Sequence, residues 1–143
     1  MLKNIRLLVS GGRDFDDDRE LDRVLSAIHA SRGIAVLAEG ESPGGGADIL
    51  ARGWANFNLI PVEPYPILQS EVDLLGPSRA PMRRNQRMLD EFKPDLAVCF
   101  PGGNGTKDMM QRLMGSVPFM WAKTHPIICN GVPVRPIYEW NLM

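Results

Sequence analysis

A Rossmann-like α/β fold, three-layered around a mostly parallel sheet and followed by a C-terminal hairpin, is predicted by three observations. Short apolar runs of strand length alternate with amphipathic stretches of helix length, the pattern of a sheet covered on both faces. Three of these runs lead directly into glycine-rich loops. The 143 residues, 44% of them apolar and 23% charged, have the composition of an ordinary globular chain and suffice for one core without metals or disulfides. One domain spanning residues 1–143 is therefore expected.

The first unit opens with Ile5-Arg6-Leu7-Leu8-Val9, which reads as a buried strand, followed by Gly11 and Gly12. Leu21, Val24, Leu25 and Ile28 then recur at i, i+3, i+4 and i+7, the spacing of one helix face, and Asp17 with Glu20 resembles a capping box at its start. In the second unit the run Ile34 to Ala38 precedes a loop from Glu39 to Gly46, and a helix over Ala47 to Phe57 carries Ile49, Leu50 and Trp54, although Gly53 weakens it. The third is the clearest: Leu96 to Phe100, the loop Pro101-Gly102-Gly103-Asn104-Gly105-Thr106, and a helical stretch with Met109, Met110 and Leu113 that Gly115 is expected to end. Between the second and third units, Leu59 to Tyr65 reads as a strand whose prolines place it at an edge. Met82 to Phe92 reads as a helix stopped by Pro94. Val117 to Ala122 is expected to be a further strand, and Ile127 to Val134 a hairpin turning at Asn130-Gly131.

Composition narrows the function classes. Sixteen basic residues against seventeen acidic ones give a net charge of −1, which argues against a chain that binds nucleic acid with its whole surface. Two cysteines without metal-ligand spacing fit a reduced, cytoplasmic setting, and no metal or cofactor is expected. No apolar run approaches the ~18 residues that span a bilayer, so no membrane partner is expected. Glycine and proline together reach about 18% of the chain, above the usual ~12% yet below the range of low-complexity disorder. Nine of the fourteen glycines sit in the three loops.

Because ligands of open α/β sheets sit beyond the carboxyl ends of the strands, the three loops are expected to share one crevice. In Pro101 to Thr106 successive glycines bring backbone N–H groups close to a ligand at a helix N-terminus, where an anion such as phosphate is favoured. Thr106 is positioned to cap that helix or to bond the same oxygens. Ser10, Gly11, Gly12, Arg13 and Asp14 offer a hydroxyl, a close backbone, a guanidinium and a carboxylate to the same crevice; a plain turn with Arg13 paired to Asp14 is the alternative. Gly45 and Gly46 can cradle a ligand, with Asp48 either capping a helix or accepting from a ribose hydroxyl. Arg79, Arg83, Arg84 and Arg87 form a basic concentration, either a solvated face or the source of one phosphate fork. Six methionines from Met82 to Met120 are expected to fill the core.

Taken in order, Ser10-Gly11-Gly12-Arg13-Asp14-Phe15, Gly46-Ala47-Asp48 with Trp54-Ala55, Arg84-Asn85 with Met88-Leu89, Pro94-Asp95 and the PGGNGT loop resemble the YspA-like, cpYpsA-related branch of the SLOG superfamily, from about Ile5 to Trp121. The superfamily also holds the LOG phosphoribohydrolases and the DprA/Smf proteins. The resemblance implies a pocket for a nucleotide or nucleotide-derived ligand, with phosphate held by Pro101 to Thr106 and by Arg84 of the Arg84-Asn85 motif, and it implies a homodimer. The LOG enzymes release a base from nucleoside monophosphates with a Glu three residues after the motif threonine. Here that position is Met109, and the nearest acid, Asp108, is rotated by about 100° around the helix. The loop Glu39 to Pro43 also carries two acids where the family loop is usually shorter.

Two functions follow from the resemblance. The first is a sensor or sequestering protein that binds its ligand without rapid turnover. The second is a nucleotide N-glycosidase in which Asp108 or Asp14 stabilises the sugar cation, the carboxylate that glycoside cleavage requires. A DprA-like single-strand binder would rest on Arg79 to Lys93 alone, without aromatics for base stacking.

Overall fold

The computed structural model describes residues 4–121, 127–129 and 132–134. Five parallel strands form one sheet in the order β3-β2-β1-β4-β5. They are β1 (Ile5–Ser10), β2 (Ile34–Glu39), β3 (Val62–Pro64), β4 (Leu96–Cys99) and β5 (Phe119–Trp121). The helices are α1 (Asp18–Arg32), α2 (Ala47–Phe57), α3 (Gln69–Leu75), α4 (Ala80–Phe92) and α5 (Asn104–Leu113). A separate antiparallel pair, β6 (Ile127–Cys129) and β7 (Val132–Val134), forms the predicted hairpin. The Asn130-Gly131 turn lies outside the described residues.

Strand alternation sorts the core into two halves. Leu7, Val9, Leu96 and Val98 point to the face covered by Leu21, Val24, Leu25 and Ile28 of α1 and by Ala51, Trp54 and Ala55 of α2. Leu8, Ala97 and Cys99, one residue out of phase, meet Met88 and Phe92 of α4 and Met109, Met110 and Leu113 of α5. This is the predicted three-layer Rossmann-like arrangement. Both faces of β1 and β4 are buried, which is why these strands read as unbroken apolar runs. Each fully buried Leu or Met contributes about 1.5–3 kcal/mol.

Local chemistry sets most of the ends. Asp17 caps α1 by accepting from the Glu20 backbone N–H at 3.1 Å, while the Glu20 carboxylate itself is held by Arg23. The α4 helix begins two residues before the expected Met82 and ends at the expected Phe92, closed ahead of Pro94 by Lys93 with its left-handed φ of 53°. The edge strand is shorter than expected, because Pro61 and Pro64 bound it. The α3 helix was not expected. Its buried Glu71 accepts from the Leu68 N–H at 2.8 Å and pairs with Arg87 of α4 at 3.2 Å. Three apolar assignments change: Ile49 and Met114 are exposed, and Met82 lines the crevice described below.

Gly53 sits inside α2, exposed, with open space where a Cβ would project. Gly53→Ala is expected to stabilise the protein by about 0.5–1 kcal/mol, since alanine lowers the backbone entropy lost on helix formation. Chemical denaturation checks this; a destabilised variant would mean that α2 bends at that position.

Candidate functional site

The strand order reverses direction between β1 and β4, and the loops that follow these strands meet there. The Gly12 N–H donates to the Pro101 carbonyl at 2.9 Å, and the Ala47 N–H donates to the Gly12 carbonyl at 3.1 Å. All three glycine loops are thus stitched together at the carboxyl ends of the sheet, where ligands of such sheets bind.

The glycines divide into two kinds. A Cβ on Gly12 would fall 2.7 Å from the Gly102 Cα and 2.9 Å from the Pro101 carbonyl, one on Gly11 would fall 2.5 Å from the Ala47 Cβ, and one on Gly102 would strike Thr106 and Gly12. Gly46, at φ 94°, presses on Gly12 and Arg13. These glycines permit loop to pack on loop. Gly103 and Gly105 have nothing within 4 Å of a would-be Cβ, and both line a cavity of about 400 Å³.

That cavity brings together most of the residues picked out from the sequence: Ser10, Gly11, Gly12, Arg13, Asp48, Arg84, Asn85, Gly103, Asn104, Gly105 and Thr106. The same cavity has an apolar wall from Ile67, Pro77, Pro81, Met82 and Met88, with Ser78 among them. A neighbouring, wider cavity of about 1000 Å³ takes Pro101 and Gly102 together with Asp14, Phe15, Asp16, Asp17 and Glu20. Gly45 lines neither cavity; nor does Gly46, which acts through its contact with the first loop.

Gly103 is the N-cap of α5, and no side chain caps that helix end. Thr106, in the first turn and buried against Gly102, does not cap the helix, the first of the two roles its sequence position offered. The first N–H groups of a helix have no partner inside it and attract anions. The Arg84 side chain lines the same cavity. Its residue is 8% exposed, and its Nη1 donates to the carbonyls of Gly40 at 2.5 Å and Tyr65 at 3.0 Å, while Nε donates to Asn85 at 3.2 Å. A Cβ on Gly40 would fall 2.6 Å from Nη1, so a larger residue there would displace the guanidinium. Among the described residues Arg84 makes no ion pair; burial presses against its charged form, and Asp48 is the largest opposing charge.

Asp48 neither caps α2 nor stands free. Its Oδ2 accepts from the Ser42 hydroxyl at 2.6 Å and the Ser42 N–H at 3.3 Å, tethering the second loop to the helix. Burial pushes its carboxyl above the usual range, against the Ser42 bonds and the Arg84 charge. A carboxyl harder to ionise in the folded state gives that state the higher proton affinity. Stability therefore falls as pH rises from the unfolded value of about 3.9 through the higher folded one. Asp48→Asn, permanently neutral, is expected to melt above the parent chain at pH 7, with the gap closing toward pH 4. A gap that does not change with pH would contradict this reading. Glu39, fully buried at the end of β2, is raised by burial in the same direction, and Arg52 holds its Oε2 at 2.9 Å.

Asp108, a candidate for sugar-cation chemistry, does not line the crevice. Its Oδ2 accepts from Asn85 Nδ2 at 3.0 Å and from Arg112 Nε at 2.7 Å. Asn85 Nδ2 also donates to the Gly105 carbonyl at 3.1 Å, so this pair of side chains braces the start of α5. Asp14 lines the wider cavity. Sequence reasoning missed the apolar wall; its signal was the Pro77 to Pro81 stretch next to Met82. Among the described residues no three His, Cys, Asp or Glu side chains gather where a metal could be held.

Fold and site together define a Rossmann-like α/β protein with a glycine-loop crevice at the switch point of its sheet. Residues 5–67 match the family model described as YspA, cpYpsA-related SLOG family, which supports membership of the SLOG superfamily. The matched stretch carries the first two glycine loops, and Arg84-Asn85 and the PGGNGT loop lie beyond it. No curated protein sequence matches the chain. Among solved structures, the chain is similar to the UDP-GlcNAc 2-epimerase from Neisseria meningitidis bound to UDP-GlcNAc. The TM-score is 0.53 at 12% identity, covering 86% of this chain and 33% of that one. At that identity the likeness shows the fold alone.

Proposed function

We propose that the protein binds a nucleotide or nucleotide-derived ligand as a sensor or sequestering protein, holding a phosphate between the N-terminus of α5 and Arg84. SLOG membership suggests a nucleotide-related ligand. The observation that carries the phosphate assignment is Arg84, a buried guanidinium without an ion pair among the described residues, lining the same cavity as the uncapped end of α5. A buried charge is costly unless it is paired, and a phosphate would complete it with charge-assisted bonds. The apolar wall from Ile67 to Met88 suits the flat face of a nucleobase or ribose.

Binding without turnover is favoured over N-glycosidase chemistry by Asp108, whose carboxylate is engaged by Arg112 and Asn85 away from the crevice lining. Calorimetric titration with a panel of nucleoside phosphates tests binding, and chromatography of the same mixtures tests base release. Saturable binding with no free base supports this function; base release abolished by Arg84→Ala would establish the enzyme instead, and no binding across the panel would refute both.

A further inference from the structure

A third cavity, of about 350 Å³, adjoins the crevice at Met82, which lines both. Its remaining walls are Leu75, Arg79, Arg83, Gln86 and Arg112. Arg83 and Gln86, three residues apart, share one face of α4, and Arg79 is the N-cap residue of that helix. Arg79 and Arg83 are exposed, and neither makes an ion pair among the described residues. Arg112 is held in place by Asp108 at 2.7 Å and by Gln86 Oε1 at 2.9 Å. Asn85 joins the same Asp108 to the Gly105 carbonyl, so one hydrogen-bonded chain runs from the glycine loop to this basic cavity.

The wide cavity, which shares Gly12, Arg13, Pro43 and Gly103 with the crevice, has the reverse balance of charge. Its lining carries four acids, Asp14, Asp16, Asp17 and Glu20, against one basic residue, Arg13. A ligand with one phosphate at the start of α5 meets repulsion if it extends a further anion toward α1 and attraction if it extends one across Met82.

We propose that the ligand carries two anionic groups separated by a sugar, the second seated on Arg79, Arg83 and Arg112. A nucleoside 3′,5′-bisphosphate or a 5′-phosphorylated dinucleotide has this chemistry. This inference rests on the nucleotide reading above and adds the class of ligand to it. Arg79 and Arg83 supply forks suited to phosphate, and Met82 and Leu75 supply the apolar saddle over which the sugar passes.

The test is calorimetric titration of the full chain with the 5′-monophosphate and the 3′,5′-bisphosphate of each of the four ribonucleosides, repeated with the Arg79→Glu/Arg83→Glu double variant. Both positions are exposed, so the variant is expected to melt like the parent chain. For at least one base, the bisphosphate is expected to bind the parent about tenfold or more tightly than the monophosphate, with a steeper salt dependence. The double variant is expected to lose that advantage while keeping its monophosphate affinity to within about threefold, the residual long-range effect of reversing two screened charges. If a monophosphate binds and its bisphosphate gains nothing, or gains equally in the double variant, the second anion site is refuted and the nucleotide reading stands. If no nucleotide binds the parent chain, the nucleotide reading itself fails.

Discussion

Replacing Arg84 with methionine is expected to weaken nucleoside phosphate binding by about 30- to 100-fold, corresponding to ~2–3 kcal/mol of lost charge-assisted hydrogen bonding. The side chain is buried among crevice residues, and among the described residues no other lysine or arginine is buried to replace it. The substitution has a second consequence, because Nη1 also holds the carbonyls of Gly40 and Tyr65. Leaving those carbonyls without a donor costs about 1–3 kcal/mol, partly offset by removing a charge from a low-dielectric site. Arg84→Lys separates the two effects. It keeps the charge and loses the planar fork, and its affinity is expected to lie between those of the parent and the methionine variant. Titration of all three proteins, each first shown to be folded by its thermal melt, makes the comparison. Equal affinities would remove Arg84 from the site.

The second large effect separates glycines that look alike in sequence. Gly12→Ala places a methyl 2.7 Å from the Gly102 Cα and 2.9 Å from the Pro101 carbonyl. Both contacts are backbone and cannot swing away, so the seam between the first and third loops must open. A cost of about 2–3 kcal/mol is expected, a fall in Tm of roughly 5–10 °C. Gly105→Ala meets nothing within 4 Å and lies in the first turn of α5. It is expected to leave the melt unchanged or raise it slightly, by up to ~1 kcal/mol of helix propensity, while lowering ligand affinity at least about tenfold, because the added methyl denies a phosphate close approach to the backbone. Loss of stability in both variants would mean that both glycines serve packing alone. Loss of neither affinity nor stability at Gly105 would move the ligand elsewhere.

Much of the fold was legible because burial on both faces leaves an uninterrupted apolar run, as in Leu96 to Phe100, and burial on one face leaves a 3.6-residue rhythm, as in Leu21 to Ile28. The α3 helix was not, because it lies in a proline-rich segment and its stability comes from Glu71 reaching back to Leu68 and across to Arg87. The site was legible at the level of loops. The Arg84-Asn85 pair and the PGGNGT loop were picked out by motif, and the structure brings them to one cavity. What each residue does there was not legible, because the partners are distant in the chain: Arg84 meets a carbonyl 44 residues away, and Asp108 meets Asn85 23 residues away. For the same reason the sequence left Asp48 divided between capping and ligand binding, whereas its carboxylate is taken by Ser42, six residues earlier.

Ligand binding at this site turns on the position of one phosphate. A crystal structure of the protein grown with the tightest-binding nucleoside phosphate from the titration panel tests it most directly. Phosphate density is expected within hydrogen-bonding distance of the first backbone N–H groups of α5 and of the Arg84 guanidinium. Density for the ligand with its phosphate away from both would contradict that position.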